Sequence, residues 1–337
     1  MRARQVLFPE PGVARLVEFE FDDANLAPNE VVIANAYSLI SPGTELACLR
    51  RAEGWARLPF VPGYASVGTV LALGGAVRHV RPGDRALCYG KHASHVRVNR
   101  LVVPVPEGLD LRRACFGRMA AVSMTAVRVA QPELGDWAAV MGLGLVGNLC
   151  AQLLTLSGCQ VIGIDVESAR LALAHACDVA HVVNSRQDDP LQTVLDITHG
   201  AKCDIVVDAT GLSPVVAQAV GLAGRLGQVI LLGSPRDAYV ADLTPVLQQV
   251  HLWGNGCVTL KGAHEWRYPA ARDPNGSAKH SIERNLEILL GLIADERLHV
   301  DTLLTHVLPP GECARAYTGL RDAKDEYVGV LFDWAAA

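Results

Sequence analysis

The chain has 337 residues, half of them apolar and 19% charged, with a formal net charge of -5. That length holds two domains with a core each, and the composition excludes long disorder. The acidic balance supplies no basic patch for nucleic acid, and no apolar stretch reaches the roughly 18 residues of a membrane span.

The opening MRARQVLFPEPG has no apolar run behind its basic residues, so no signal peptide is read and a cytosolic protein is expected. Nine cysteines occur without any C-x-x-C spacing. In a reducing cytosol these read as buried free thiols.

Residues 1–120 read as short strands broken by turns. EVVIANAYSLI, ASVGTVLAL and HASHVRV are strand-like, and Pro62-Gly63 and Pro82-Gly83-Asp84 are turns between them. Residues 121–263 change texture, with strands alternating with amphipathic helices. Strands are predicted at 137–141, 161–164, 205–207, 229–232 and 257–260, and helices at 144–157 and 167–176. Ser213-Pro214 is read as the capped start of another helix. This pattern predicts a parallel, doubly wound sheet. In residues 264–337 the polar stretch AARDPNGSAKHS precedes a helix at 282–295, and a strand at 327–332 is expected to return to the first domain.

Gly142-Leu143-Gly144-Leu145-Val146-Gly147 follows a predicted strand and opens a predicted helix, and Asp165 ends the next strand. In a dinucleotide site the first glycine permits a tight turn, the second lets backbone approach the pyrophosphate, and the third brings helix and strand together. The helix N-terminus, with the amides of Leu145 and Val146, then faces the phosphates. Asp165 can take hydrogen bonds from both adenosine ribose hydroxyls and repels a 2′-phosphate, which points to NAD(H). Ala209-Thr210-Gly211 and Gly233-Ser234 lie at later strand ends, where such a sheet holds its ligand and small residues let a nicotinamide lie against backbone.

With these pieces in place the chain resembles the medium-chain dehydrogenase/reductase superfamily over its whole length. PGYASVGTV resembles the family's P-G-H-E-x-x-G-x-V, VRPGDRAL its turn before a strand, and VDATG a further element. The resemblance implies a GroES-like, mostly β catalytic domain, a Rossmann domain, a small-molecule substrate and a homodimer. It also places Arg170 as a cation beside the adenosine ribose. Ser41-Pro42-Gly43-Thr44-Glu45 with Pro62-Gly63-Tyr64 is similar to a subgroup that includes bacteriochlorophyllide hydroxyethyl dehydrogenases.

Zinc-dependent members of the family carry metal ligands that this chain lacks. Pro42 stands at the cysteine position, Tyr64-Ala65 replace His-Glu, and Gly117 or Arg118 falls at the third ligand. A catalytic zinc needs about three protein ligands, so no metal is expected. The closely spaced cysteines of a structural zinc loop are missing as well. Cys88, His92 and His95 have ligand chemistry, but the two histidines are three apart in a strand-like run, on opposite faces.

Without zinc, positioned donors must polarise the substrate oxygen. Tyr64 is the candidate proton donor, Thr44 matches the family's relay hydroxyl, Arg118 is a candidate for holding an anion or enolate, and His92 is a further candidate. Lys91, Lys261 and His264 are lesser ones, and Glu45 reads as a structural acid pairing with a cation. The expected reaction is alcohol–carbonyl interconversion with NAD(H). A zinc-free enoyl or quinone reductase and a non-catalytic NAD sensor are the alternatives.

Overall fold

The computed structural model describes residues 1–336. It forms two compact units, Met1–Ala121 with the chain from Tyr268 onward, and Val122–Arg267. The first unit begins with β1 (Arg2–Leu7) and β2 (Arg15–Glu20), an antiparallel pair. Then come β3 (Val31–Leu39), α1 (Pro42–Leu49), β4 (Ser66–Leu73), β5 (Arg85–Cys88), β6 (His95–Val98) and β7 (Val103–Pro104). Two helices follow, α2 (Leu111–Cys115) and α3 (Gly117–Ala130), and the boundary between the units falls within α3.

The second unit alternates β8 (Trp137–Met141), α4 (Leu145–Leu156), β9 (Gln160–Asp165), α5 (Ser168–Ala176), β10 (His181–Asn184) and α6 (Pro190–Ile197). It continues with β11 (Cys203–Asp208), α7 (Ser213–Leu222), β12 (Ala223–Leu231), α8 (Thr244–His251) and β13 (Thr259–Gly262). All six strands are parallel, in the order β10-β9-β8-β11-β12-β13. The order reverses between β8 and β11, the switch point at which doubly wound sheets bind dinucleotides. Apolar side chains of β8, β9, β11 and β12 pack with those of α6 and α7 into this unit's core.

Back in the first unit lie α9 (Ile282–Ala294), β14 (Leu304–Leu308), α10 (Cys313–Asp322) and β15 (Gly329–Asp333). The sheet order is β14-β15-β3-β4-β5-β7, with β6 also on β3. Strand β3 pairs with β6 over residues 31–34 and with β15 over residues 37–39. The C-terminal strand thus completes the first unit's sheet, as its sequence suggested.

The predicted α/β architecture, a mostly β unit and a parallel Rossmann sheet, is the architecture found. Ser213 does not cap α7. The N-cap is Leu212 and carries no side-chain cap bond; the preceding turn is held by Thr210 Oγ1, which accepts the Leu212 N–H at 3.0 Å. Strand β10, α6 and α8 had no counterpart in the sequence reading. β10 is only four residues long, and none of the α8 side chains is buried, so neither offers the periodicity on which that reading rests.

Candidate active site and dinucleotide cradle

In the second unit the glycine-rich turn joins β8 to α4. Gly142 sits at φ +89°, where a side chain is strained, and a Cβ there would press on Thr210. A Cβ on Gly147 would overlap the carbonyl oxygen of Gly142. Both glycines are therefore demanded by the chain itself. Gly144 is different. Its φ is an ordinary −62°, and the nearest atom to an added Cβ is the Arg170 guanidinium at 3.7 Å. The fold does not need this glycine, and its bare backbone leaves space for a ligand at the start of α4. As N-cap it brings no side-chain oxygen to the amides of Leu145, Val146 and Gly147 at the helix's positive end.

Asp165 closes β9 with 4% of its surface exposed. Its carboxylate accepts the Leu143 N–H at 2.6 Å and the Glu167 N–H at 2.9 Å, which fixes it beside the glycine turn. The Arg170 guanidinium stands 3.8 Å from Oδ2, so acid and cation meet here. At the end of β11, Asp208 accepts both the N–H and the O–H of Thr210, at 2.8 and 2.6 Å. Burial pushes the Asp208 carboxyl above its ordinary range, against the pull of these bonds. Gly211, at φ +67°, lies against Ser234, and Gly233 lies against the backbone of Gly211. Ala209, Thr210, Gly211, Gly233 and Ser234 thus converge at the carboxyl ends of β11 and β12, with Thr210 touching Gly142. The residues present fit a dinucleotide.

In the first unit Tyr64 and Arg118, two residues that the resemblance sets at zinc-ligand positions, come together. Pro62-Gly63 turns the chain into β4, with Gly63 at φ +97° packed so tightly on His92 that no side chain fits. That turn sets Tyr64, which is half-buried, with its hydroxyl 2.5 Å from Ser41 Oγ. The Tyr64 ring stacks on Tyr89, centroids 5.6 Å apart and planes 27° apart. The Arg118 guanidinium lies 5.3 Å from each ring, and its Nε donates to the Tyr64 carbonyl at 3.2 Å. A guanidinium so placed stabilises negative charge near the rings and holds Tyr64 by its main chain.

Behind this cluster runs a buried polar network. Glu45 Oε1 accepts the Ser41 N–H at 2.8 Å, and Oε2 accepts from Tyr317 at 2.6 Å and is paired with His92 Nε2 at 2.9 Å. His92 Nδ1 meets Ser38 Oγ at 2.7 Å, and that oxygen also accepts the Trp334 indole N–H at 2.9 Å. The indole only donates, so the Ser38 hydroxyl hydrogen is available to His92 Nδ1. The Nε2–H then donates to Glu45. Burial first, and the Glu45 charge next, hold the Tyr317 phenol protonated well above its usual range. Three donors on one carboxylate are what a buried charge requires.

Two sequence candidates change role. His92 has no exposed surface and both ring nitrogens are engaged, so it braces Glu45 and offers no substrate-facing nitrogen. Arg118 is equally buried beneath Tyr64 and Tyr89, so no anion reaches it in this conformation. Its charge acts through Tyr64 instead. Thr44 is half-buried on α1, but the hydroxyl that reaches Tyr64 belongs to Ser41. Ser41, Tyr89 and Tyr317 were not read from sequence. Ser41 followed by Pro42 reads only as a helix start, and nothing local shows that its side chain turns away. Lys91 has its ammonium 5.1 Å over the Phe60 ring, Lys261 donates to Gln228, and His264 accepts the Trp266 N–H.

The cluster does not fit zinc. Its hydroxyls are bonded to each other, the acid nearest them is saturated by donors, and the Arg118 guanidinium lies against both aromatic rings. Among the described residues no group of three His, Cys, Asp or Glu side chains is arranged to hold a metal ion.

A family model described as zinc-binding dehydrogenase matches residues 146–271. The uncharacterized zinc-type alcohol dehydrogenase-like protein YdjJ of Escherichia coli K12 is 23% identical, over 87% of this chain and 99% of its own. A structure from Sinorhizobium meliloti 1021, described as a zinc-binding dehydrogenase and bound to NADP, superposes with a TM-score of 0.82 at 19% identity, covering 99% of both chains. A structure from Escherichia coli CFT073, described as a short chain alcohol dehydrogenase (rspB) complexed with NADH, superposes with a TM-score of 0.80 at 16% identity, covering 98% of this chain and 99% of its own.

Proposed function

We propose that the chain is a medium-chain dehydrogenase/reductase of the zinc-type alcohol dehydrogenase-like superfamily, a reading supported by the family model and the relatives, and that it interconverts an alcohol and a carbonyl compound with NAD(H) and without zinc. The observation that carries this reading is the Tyr64 hydroxyl, half-buried, bonded to Ser41, and set where the family's metal ligands would stand. When bound, the dinucleotide supplies the hydride to the carbonyl carbon or takes it from the alcohol. Tyr64 gives the proton that the carbonyl oxygen gains, and takes it back in the oxidising direction. Arg118 and Tyr89 hold the ring, and the Arg118 charge favours the phenolate left after the transfer. The preference for NAD(H) rests on Asp165, whose carboxylate, fixed by two main-chain N–H groups, repels a 2′-phosphate.

The enoyl or quinone reductase alternative needs an exposed cation for the enolate, and Arg118 is covered. The finer resemblance to bacteriochlorophyllide hydroxyethyl dehydrogenases is carried by the motifs at Ser41–Glu45 and Pro62–Gly68 alone. Cytosolic residence belongs to the same proposal: all nine cysteines are free and eight are buried, a state that a reducing compartment preserves. No helix among the described residues is long and apolar enough to cross a membrane. Self-association is proposed through β13, an edge strand of the parallel sheet, near which Leu243, Leu247 and Trp253 are all at least 59% exposed.

The test is NADH oxidation against a panel of ketones and aldehydes, with and without a chelator, for the wild type and Tyr64→Phe. General acid catalysis contributes about 10²–10⁴-fold, so Tyr64→Phe is expected to lose at least about tenfold in kcat/KM while binding NADH normally. Chelation is expected to change nothing. A Tyr64→Phe variant as fast as wild type, or activity that disappears with one zinc per chain, overturns the proposal.

A further inference from the structure

Lys91 directly precedes His92, whose main-chain N–H donates to the Pro62 carbonyl at 2.9 Å and whose ring packs on Gly63. The Lys91 carbonyl accepts from Ser66 Oγ at 3.1 Å. Lys91 is thus fixed at its backbone beside the turn that sets Tyr64, and its ammonium stands 5.1 Å over the Phe60 ring. Phe60 is held in its own right: its N–H and carbonyl pair with Phe8 at 2.9 and 2.8 Å, and its ring lies against Phe8. The Trp55 indole meets the Phe60 ring at 5.7 Å between centroids and 72° between planes, and its N–H donates to Glu53 at 3.0 Å. Even so, Trp55 is 62% exposed. A fixed indole open to solvent offers flat apolar area to a ligand.

The Lys91 charge is not used within the chain. Among the described residues no side chain takes a hydrogen bond from it or pairs with it as an ion, and Phe60 is its contact. Glu45 is near enough for its charge to be felt, but that carboxylate already accepts from Ser41, His92 and Tyr317. Lys91 as a residue is exposed, so a ligand can reach it. Its ammonium is nevertheless partly desolvated, which lowers its pKa from the ordinary lysine value against the pull of the Glu45 charge. A lysine that merely covers apolar surface keeps its head in water. An ammonium partly stripped of water and lacking a counter-ion gains from an incoming anion.

We propose that Lys91, Phe60 and Trp55 form a subsite for an anion on a flat apolar body, so that the preferred substrate is an alcohol or carbonyl compound bearing a carboxylate. The carboxylate meets the Lys91 ammonium, and the apolar body lies along Trp55. One unpaired ammonium matches one negative charge, which favours a carboxylate over a phosphate dianion. The inference rests on the alcohol–carbonyl reading for the reacting group, but not on which residue supplies the proton.

The experiment needs no turnover. Benzoate is the probe and benzamide its neutral counterpart of similar shape, and ligand-observed NMR titrations of the full chain give both dissociation constants. The wild type is expected to bind benzoate about fivefold more tightly than benzamide, the upper range for a part-exposed ion pair. Lys91→Met is expected to abolish that preference while leaving benzamide unchanged, and Lys91→Arg to keep it. Trp55→Ala is expected to weaken both probes together. Thermal melts establish that each variant is folded, and Lys91→Gln takes the place of Lys91→Met should the latter fold poorly. Absent benzoate binding, equal affinities for the two probes in the wild type, or a benzoate preference that survives in a folded Lys91→Met or Lys91→Gln protein overturns the inference. If that happens while Tyr64→Phe is slow on uncharged carbonyls, only the subsite falls. If the benzoate preference depends on Lys91 and Tyr64→Phe is as fast as wild type, the subsite stands and the functional reading falls.

Discussion

The two units treat their ligand positions in opposite ways. In the parallel sheet, the residues we propose to meet a dinucleotide are backbone positions: Gly142 and Gly147 are forced by contacts within the chain, and Gly144 is left bare beside them. In the mixed sheet the resemblance sets side chains at such positions: Pro42, Tyr64, Ala65 and Gly117 or Arg118 fall where zinc-dependent members of the family carry their ligands. A ligand recognised by main-chain amides allows few substitutions, because the geometry and not the residue type does the work. A metal held by side chains can be lost in a few exchanges. On the reading proposed here, groups that satisfy one another fill that space: two hydroxyls, two aromatic rings and a guanidinium.

The largest effect is expected where that backbone logic is broken. Gly147→Val forces a branched side chain into the Gly142 carbonyl, and the soluble folded yield of the variant is expected to collapse. Gly144→Ala has room within the chain, so its melting temperature should match wild type while NADH affinity falls at least about tenfold through loss of pyrophosphate contact. Calorimetry and a thermal melt on both variants separate the two cases. Wild-type NADH affinity in Gly144→Ala contradicts the cradle.

Next comes the buried acid of the other unit. Glu45→Leu leaves Tyr317, His92 and the Ser41 N–H without an acceptor, and each orphaned buried group costs about 1–3 kcal/mol. Glu45→Gln keeps one acceptor oxygen and is expected to lose less. Denaturant melts that rank Glu45→Gln at or below Glu45→Leu contradict the hydrogen-bond account.

A smaller, selective effect is expected at Asp165. Asp165→Ser removes the charge facing the ribose, while Arg170 remains 3.8 Å from where the carboxylate was. Affinity for NADPH is expected to rise and affinity for NADH to fall. Tighter binding of NADPH than of NADH by the wild type removes the stated preference.

The same contrast explains what the sequence could tell. Glycine spacing, a terminal acid on β9 and strand–helix alternation are local, so the parallel sheet and its cradle were legible residue by residue. In the other unit the losses were legible but their replacements were not. Ser41 and Tyr64 are 23 positions apart, Glu45 and Tyr317 are 272, and Ser38 and Trp334 are 296. No periodicity connects such pairs. His92 looked like a candidate because a histidine near a vacated metal site has the right chemistry. Its burial and two occupied nitrogens follow from the Gly63 turn packed against it, which only the fold reveals.

The smallest effects concern the thiols, which mark both cores. Burial pushes Cys88, Cys150 and Cys203 up to about 12, and Cys159 and Cys313 up to about 11. Thiolate is the reactive form, so at pH 8 an aromatic disulfide reagent is expected to label at most one thiol of the native protein, Cys257, the only partly exposed one among the described residues. The same shifts fix the sign of an alkaline transition. A thiol whose native pKa is raised keeps its proton after the unfolded chain has lost it, so its contribution is complete below the ordinary thiol pKa. Above that pH the unfolded state binds fewer protons than the native one, and stability falls as pH rises toward the native values. Tyr317 adds a further fall in the same direction above about pH 10, the ordinary tyrosine value. The melting temperature is therefore expected to be insensitive to these groups up to about pH 8, near the ordinary thiol value, and to decline from there to pH 11. Several thiols labelled at once in the native protein, or a melting temperature that rises over that interval, contradicts the burial on which both expectations rest.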